Sequence, residues 1–470
     1  MKWPRLNLSS ITAQRALLLL FIVALAFSVR ALTANFIRAH LDDPGWFQFG
    51  SYAVFDRQAQ AILDRKEPIF WINDPTRTDR IVYPPGYPIS MAFIYLITGD
   101  RSPISLQRVQ LVLDSISVLL LVGIGTTAYR WGVGVVAGVL AALSPLLAFG
   151  GATPAADAPA SWLVLAAVWC LLLTAKRHGL AYAIAAGALL GLACWVRVNP
   201  LLLFVAWAGA VILFIRLAWR RRLFLSAAVA LSTLLVISPV VIRNLIIFYP
   251  EFAPTGLNVG WNLLAGIGET ERGPEFGAPC CDEQMIEQDR LAMNLPVDAP
   301  LALNWPDGIR RDRERGRRAL VIMKDHPLWF LGVMARRVCG HLKFAGKPVP
   351  HTGTVGFNVT SSKCLSLDHR GSPLALGVNA LGMIQSVWRY AALPLMLAGL
   401  FLAFRKNRIM TLMLLSTVFY YLLTLAVGHS EIRYGLPMQA ILIVFAAVAV
   451  FHLGASARSL GRSQPTSERN

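Results

Sequence analysis

Carboxylates and guanidiniums recur in this chain at the ends of long apolar runs, where they are costly to keep unless they have a task. Asp42 and Asp43 follow the first run, and Asp56 lies a little further on. Asp157 opens a later run in Thr153-Pro154-Ala155-Ala156-Asp157-Ala158-Pro159. Arg197 closes the next, in Trp195-Val196-Arg197-Val198-Asn199-Pro200, and Arg243-Asn244 closes another. His429, Glu431, Arg433 and Tyr434 fill the short turn before the last run. Acids and arginines at one membrane face suit transfer of a sugar from a lipid phosphate to a hydroxyl. The hydroxyl needs a carboxylate to take its proton. The leaving phosphate is already a weak base and needs no general acid. It does need fixed cations, and Arg is suited to paired contacts with phosphate oxygens. A divalent metal is compatible with this chemistry but not required by it. Trp46, Trp71, Tyr83 and Tyr87, with Pro85 in the rigid Tyr83-Pro84-Pro85-Gly86 turn, offer faces for a sugar ring or a prenyl chain.

Each residue also has a plainer reading. Asp157 can cap a helix whose first turn is Ala158-Pro159. Arg197 and Arg243 can reach along the interface to water. Glu431 and Arg433, two apart, can form an exposed pair worth little. None of these explains why so many such residues gather at one face.

The elements that must position them are membrane helices. The chain is 56% hydrophobic and only 15% charged, with a mean hydropathy of +0.54, which no ordinary soluble domain shows. The apolar runs are continuous, not alternating, so the expected class is an all-α polytopic membrane protein, not a β-barrel. Ten spans are expected, with nine to thirteen as the range, at about 13–37, 105–129, 133–151, 157–175, 179–196, 199–218, 223–242, 374–403, 409–427 and 435–454. The opening Met1-Lys2-Trp3-Pro4-Arg5 and the run after it read as a retained signal anchor. Alternate connections carry the cations: Arg130, Lys176-Arg177, Arg220-Arg221-Arg222, Arg405-Lys406-Arg408. These set a cytoplasmic side with both termini on it, and the acids fall on the other. The net charge of +18 therefore reads as topology, not as nucleic-acid binding.

Residues 1–242 thus form an N-terminal membrane module with a first outer loop at 38–104. An outer region follows at 243–372, then C-terminal helices at 373–455 and a basic, disordered tail at 456–470. Interfacial helices are expected at 55–63, 89–97 and 328–342. Cys280, Cys281, Cys339 and Cys364 share the outer region, so up to two disulfides are open to it, whereas Cys170 and Cys194 fall inside spans as small apolar fillers.

At these residues the sequence resembles the C-type glycosyltransferases. It is most similar to the bacterial branch of the dolichyl-phosphate-mannose protein mannosyltransferases, with the aminoarabinose transferases. The likeness rests on the acidic first loop, Ala59-Gln60-Ala61-Ile62-Leu63, Tyr83-Pro84-Pro85-Gly86-Tyr87-Pro88 and Asp157-Ala158-Pro159. It continues in Ser238-Pro239 to Arg243-Asn244, Gly256 to Leu263, and Glu431-Ile432-Arg433-Tyr434 through Pro437. The resemblance implies an inverting transferase that uses a polyprenyl-phosphate sugar outside the cytoplasm, in a bacterial plasma membrane. It implies a first-loop base: Asp42-Asp43 by position at the end of helix one, or Asp56 by spacing from Ile62-Leu63. It implies a second acid at Asp157, with Arg197, Arg243, Arg433 and Tyr434 near the donor phosphate and His429 and Glu431 beside the groove. The acceptor is a lipid, glycan or protein. Two rivals stay open: a flippase or secondary transporter of the lipid-linked sugar, which would place its charges near the midplane, and a ligase or polymerase using a diphosphate-linked glycan.

Overall fold

The structure is a computed structural model that describes residues 11–38, 41, 51–66, 74–344, 375–429 and 431–462. It is helical throughout. In chain order the helices are α1 (Ile11–Arg38), α2 (Ser51–Leu63), α3 (Gly86–Thr98), α4 (Pro103–Ala128), α5 (Trp131–Leu143) and α6 (Pro145–Ala152). Next come α7 (Asp157–Arg177), α8 (Leu180–Val196), α9 (Leu203–Phe214) and α10 (Trp219–Ile247). The outer region contributes α11 (Val259–Gly268), α12 (Asp282–Ala292), α13 (Gly308–Asp325) and α14 (Pro327–His341). The chain closes with α15 (Ala375–Lys406), α16 (Arg408–Val427) and α17 (Leu436–Arg462).

Among the described residues, seven helices are long and apolar enough to cross a bilayer, or eight if α5 and α6 count as one bent span. Two of the ten expected spans are shorter than expected and a third is broken. The span at 133–151 is interrupted between α5 and α6 by a 61° bend. Pro145 cannot donate to the preceding turn, and the Ser144 hydroxyl instead accepts from Leu147 N, starting a new helix. The span at 199–218 shrinks to α9, because residues 198–202 form turns pinned by Tyr420 of α16. That hydroxyl donates to Asn199 O at 2.6 Å and accepts from Leu202 N at 3.3 Å. The span at 179–196 is α8, apolar but only 17 residues long. The interfacial helices at 55–63, 89–97 and 328–342 correspond to α2, α3 and α14, while α11, α12 and α13 had no individual signal.

Helix association within lipid depends on close packing and small residues, since lipid tails are as apolar as leucine. The chain follows this rule. α8 lies between α7 and α10, α4 packs on α5, and α15 lies along α17. At Gly399 of α15 any Cβ would collide with the backbone of Phe445 in α17, so the contact requires glycine. The core formed this way contains Val164, Leu171, Trp207 and residues 440–448 of α17. The Trp207 indole is satisfied by the Thr417 hydroxyl at 2.9 Å. Beside it, a smaller apolar cluster of Phe55, Tyr87, Met91 and Tyr95 joins α2 to α3.

The described cysteines, Cys170, Cys194, Cys280, Cys281 and Cys339, are free thiols, so none of the open disulfides forms among them; Cys364 lies outside the described residues.

Candidate active site

Asp157 is the first residue of α7 and Arg197 directly follows α8, so both stand at the same end of the bundle. The turn before α7 is held from α4. Gln107 donates to Ala152 O at 2.9 Å and Gln110 to Thr153 O at 2.6 Å. Asp157 is not the helix cap; Ala156 occupies that position. Its carboxylate instead pairs with Arg197 at 2.7 Å, and both side chains are buried. The capping and interfacial readings of these residues therefore fail together: a buried charge is kept where it has a partner.

Arg433 and Tyr434 sit in the short helical turn Ile432–Gly435 ahead of α17. The Arg197 guanidinium lies 5.2 Å from the centre of the Tyr434 ring and that of Arg433 lies 5.4 Å from it. Two cations thus share one aromatic ring and oppose each other electrostatically. Arg433 donates to Glu431 Oε1 at 2.7 Å. This pair is largely buried, with 22% and 13% of the side chains exposed, so it is not the exposed pair that its spacing allows. Arg197 Nε is buried and has no hydrogen-bond partner among the described residues.

Glu431 leads on to His429. The imidazole Nε2 is 3.9 Å from Glu431 Oε1, and Nδ1 is 2.5 Å from Glu269 Oε1 at the end of α11. Burial by itself would lower the imidazole, but the hydrogen bonds and charges of the two carboxylates outweigh it and lift His429 to about 9. Burial would likewise raise the Glu431 carboxyl, yet His429 and Arg433 hold it down at about 2. The row Asp157, Arg197, Arg433, Glu431, His429, Glu269 thus flanks two adjacent guanidiniums at Tyr434 with acids and ends in the Glu431–His429–Glu269 chain.

The remaining expected residues fall into three groups. Tyr83 belongs to the cluster: burial raises its phenol, and the charges of Arg197 and Arg433 oppose that rise. Its ring rests on Phe55 at 4.8 Å. Pro85 caps α3 from a buried position, and Tyr87 lies beneath, fully buried, its hydroxyl on Gln110 at 3.3 Å. Asp56 turns toward α3 and accepts from the Tyr95 hydroxyl at 2.8 Å. Arg243 is buried in α10, where its described hydrogen bonds go to Asn244, which in turn donates to Ala253 O. Neither Asp56 nor Arg243 joins the cluster through a described contact. Asp42, Asp43, Trp46 and Trp71 lie outside the described residues.

Several participants carried no signal in the sequence. Glu269 is 160 positions from His429. Asp282 opens α12 with a carboxyl raised by burial, within electrostatic reach of both His429 and Tyr83. Trp261 of α11 presents its ring edge to His429 at 5.1 Å. Among the described residues no group of three or more His, Cys, Asp or Glu side chains is arranged to hold a metal ion.

Residues 82–243, which contain Tyr83, Asp157, Arg197 and Arg243, match the family model described as dolichyl-phosphate-mannose-protein mannosyltransferase. No curated protein sequence matches the chain. The solved oligosaccharyltransferase of Archaeoglobus fulgidus, tethered with an acceptor peptide containing the NVT sequon, is 15% identical, with a TM-score of 0.50 over 94% of this chain and 51% of that one. The same enzyme in complex with Zn and sulfate is 14% identical, with a TM-score of 0.50 over 94% and 50%. ArnT from Cupriavidus metallidurans bound to undecaprenyl phosphate is 13% identical, with a TM-score of 0.32 over 98% and 82%. The chain spans about half the length of the oligosaccharyltransferases it matches. In its membrane helices the chain has the fold of the C-type glycosyltransferases, the superfamily of the mannosyltransferase model that it matches.

Proposed function

We propose that this protein transfers one sugar from a polyprenyl-phosphate carrier to a hydroxyl acceptor outside the cytoplasm of a bacterium, with inversion. The single observation that carries this reading is the pairing of Arg197 and Arg433 on the ring of Tyr434. Two guanidiniums gathered about one ring, with the Arg197 Nε hydrogen unused, offer fixed donors for a phosphate. The donor enters from lipid with its phosphate in this seat. A first-loop carboxylate, Asp43 or else Asp42 or Asp56, takes the acceptor's proton as its oxygen attacks the anomeric carbon. The carbon–phosphate oxygen bond breaks, and the bonding pair leaves on the phosphate. Asp157 fixes Arg197 through their ion pair, Tyr83 walls the seat, and Arg243 supports it from α10. The cytoplasmic side is the bundle end that carries Lys176, Arg177, Arg405 and Lys406, and both termini belong to that side.

Asn substitutions at Asp42, Asp43 and Asp56, assayed with purified lipid donor, test the base. Loss of a general base costs about 100-fold to 10,000-fold in turnover. One of the three variants should show it, and wild-type turnover in all three would remove the base from the first loop. The ligase reading shares the fold of the oligosaccharyltransferases and separates on the donor: it would require a diphosphate-linked glycan. Proteoliposomes that move labelled sugar lipid without transferring it would favour the flippase.

A further inference from the structure

The turn that carries Arg433 is not held by the membrane helices alone. Residues of α11, from the outer region, reach it at several points. His429 N donates to Asn262 O at 2.6 Å, and at Gly266 a Cβ would strike the backbone of Gly428 and His429. α11 is itself fixed at its start, where the Asp312 carboxylate of α13 accepts from the amides of Gly260 and Trp261 at 3.1 and 2.9 Å. The imidazole of His429 then stands between two carboxylates, one on each ring nitrogen. The Nδ1 contact with Glu269 is a hydrogen bond and the 3.9 Å Nε2 contact with Glu431 an ion-pair distance. A neutral imidazole donating from Nδ1 would turn its Nε2 lone pair toward Glu431, whereas the imidazolium attracts both acids. Glu431, the second of these acids, is the one that holds Arg433.

We propose that Glu269 and His429 are positioning residues of the phosphate seat: charged His429, fixed by Glu269, holds Glu431, and Glu431 aims the Arg433 guanidinium at the donor phosphate. This rests on the reading of the seat given above. His429 is faced by Glu269 and Trp261 from α11, by Glu431 and Tyr434 on its own turn, and by Asp282 from α12. Arg337 from α14 approaches Glu269 and opposes it in part. When the imidazole loses its proton, its grip on Glu431 lapses, and donor affinity falls while the acceptor side is untouched.

The test uses the full-length protein in nanodiscs, with kcat and KM for donor and acceptor measured from pH 6 to pH 10. Wild-type donor affinity should fall on the alkaline side, near the value of about 9 to which the carboxylates lift His429. Glu269→Gln removes one supporting charge, so this limb should move to lower pH. Donor KM at pH 10 should exceed wild type about ten-fold, the equivalent of about one pH unit, while at pH 8 it rises only about two-fold, with acceptor KM unchanged. A brace with no electrostatic part would leave the limb where it is. A Glu269→Gln profile superimposable on wild type therefore overturns the proposal. Should that variant not fold, undecaprenyl phosphate binding to the wild-type protein decides: weakening above about pH 9 supports the relay, and a flat profile overturns it. A wild-type protein that neither binds undecaprenyl phosphate nor transfers sugar would instead refute the reading of the seat itself, and the relay with it.

Discussion

Arg30 with Asp114 and Arg197 with Asp157 are both buried guanidinium–carboxylate pairs, yet they leave different things over. Arg30 of α1 meets Asp114 of α4 inside the membrane at 2.5 Å. The other Asp114 oxygen accepts from Trp162 Nε1 of α7, and Arg30 spends further donors on the carbonyls of Ala26 and Ala142. The set is closed, with charges matched one to one and four helices tied. At the end of the bundle, Arg197 pairs with Asp157 but keeps a buried Nε without a described partner, and a second guanidinium shares its aromatic ring. A saturated ion pair braces helices. In the proposed mechanism, the unsaturated one near another cation is the one that receives an anion that comes and goes.

This contrast can be broken by mutation. The largest effect on transfer is expected at Arg433→Ala and Arg197→Ala, at about 100-fold to 1000-fold in turnover, the usual cost of removing one donor to developing negative charge. If either keeps its activity, the seat lies elsewhere. Asp114→Asn should instead act on stability. Stranding a buried guanidinium costs about 3 to 5 kcal/mol, read as a lower Tm with turnover per folded molecule unchanged. Loss of turnover in correctly folded Asp114→Asn would show that the inner pair also serves the reaction. Asp157→Asn is expected to be the mildest of the set. It loosens Arg197 without removing it and should cost about ten-fold, the worth of one charge-assisted hydrogen bond, seen mainly in donor KM.

The fold was largely legible because continuous apolar length is a direct physical signal. It failed where one residue changed the backbone locally, as at Pro145, whose missing N–H was present in the sequence but was read through. The site was legible in part for a similar reason. Asp157, Arg197, Glu431 and Arg433 stand at helix ends, and an ionisable group there is conspicuous against apolar surroundings. Glu269 and Asp282 stand in polar segments where an acid is unremarkable, and only the folded chain shows that they face His429. Arg30 and Asp114 were visible all along as charges well inside apolar runs. That they pair with each other and with Trp162 is a fact of helix packing that spacing along the chain does not carry.

Arg337 deserves a last consequence. Its guanidinium is fully buried and donates to Ala426 O at the end of α16 and to Gly266 O within α11. Burial draws it down to about 10, so it is still cationic at neutral pH. Acting as a rivet between backbone oxygens, it ties the outer region to the membrane helices without consuming a carboxylate. On the proposed function, donor entry is then expected to leave this junction intact and to proceed along a different seam.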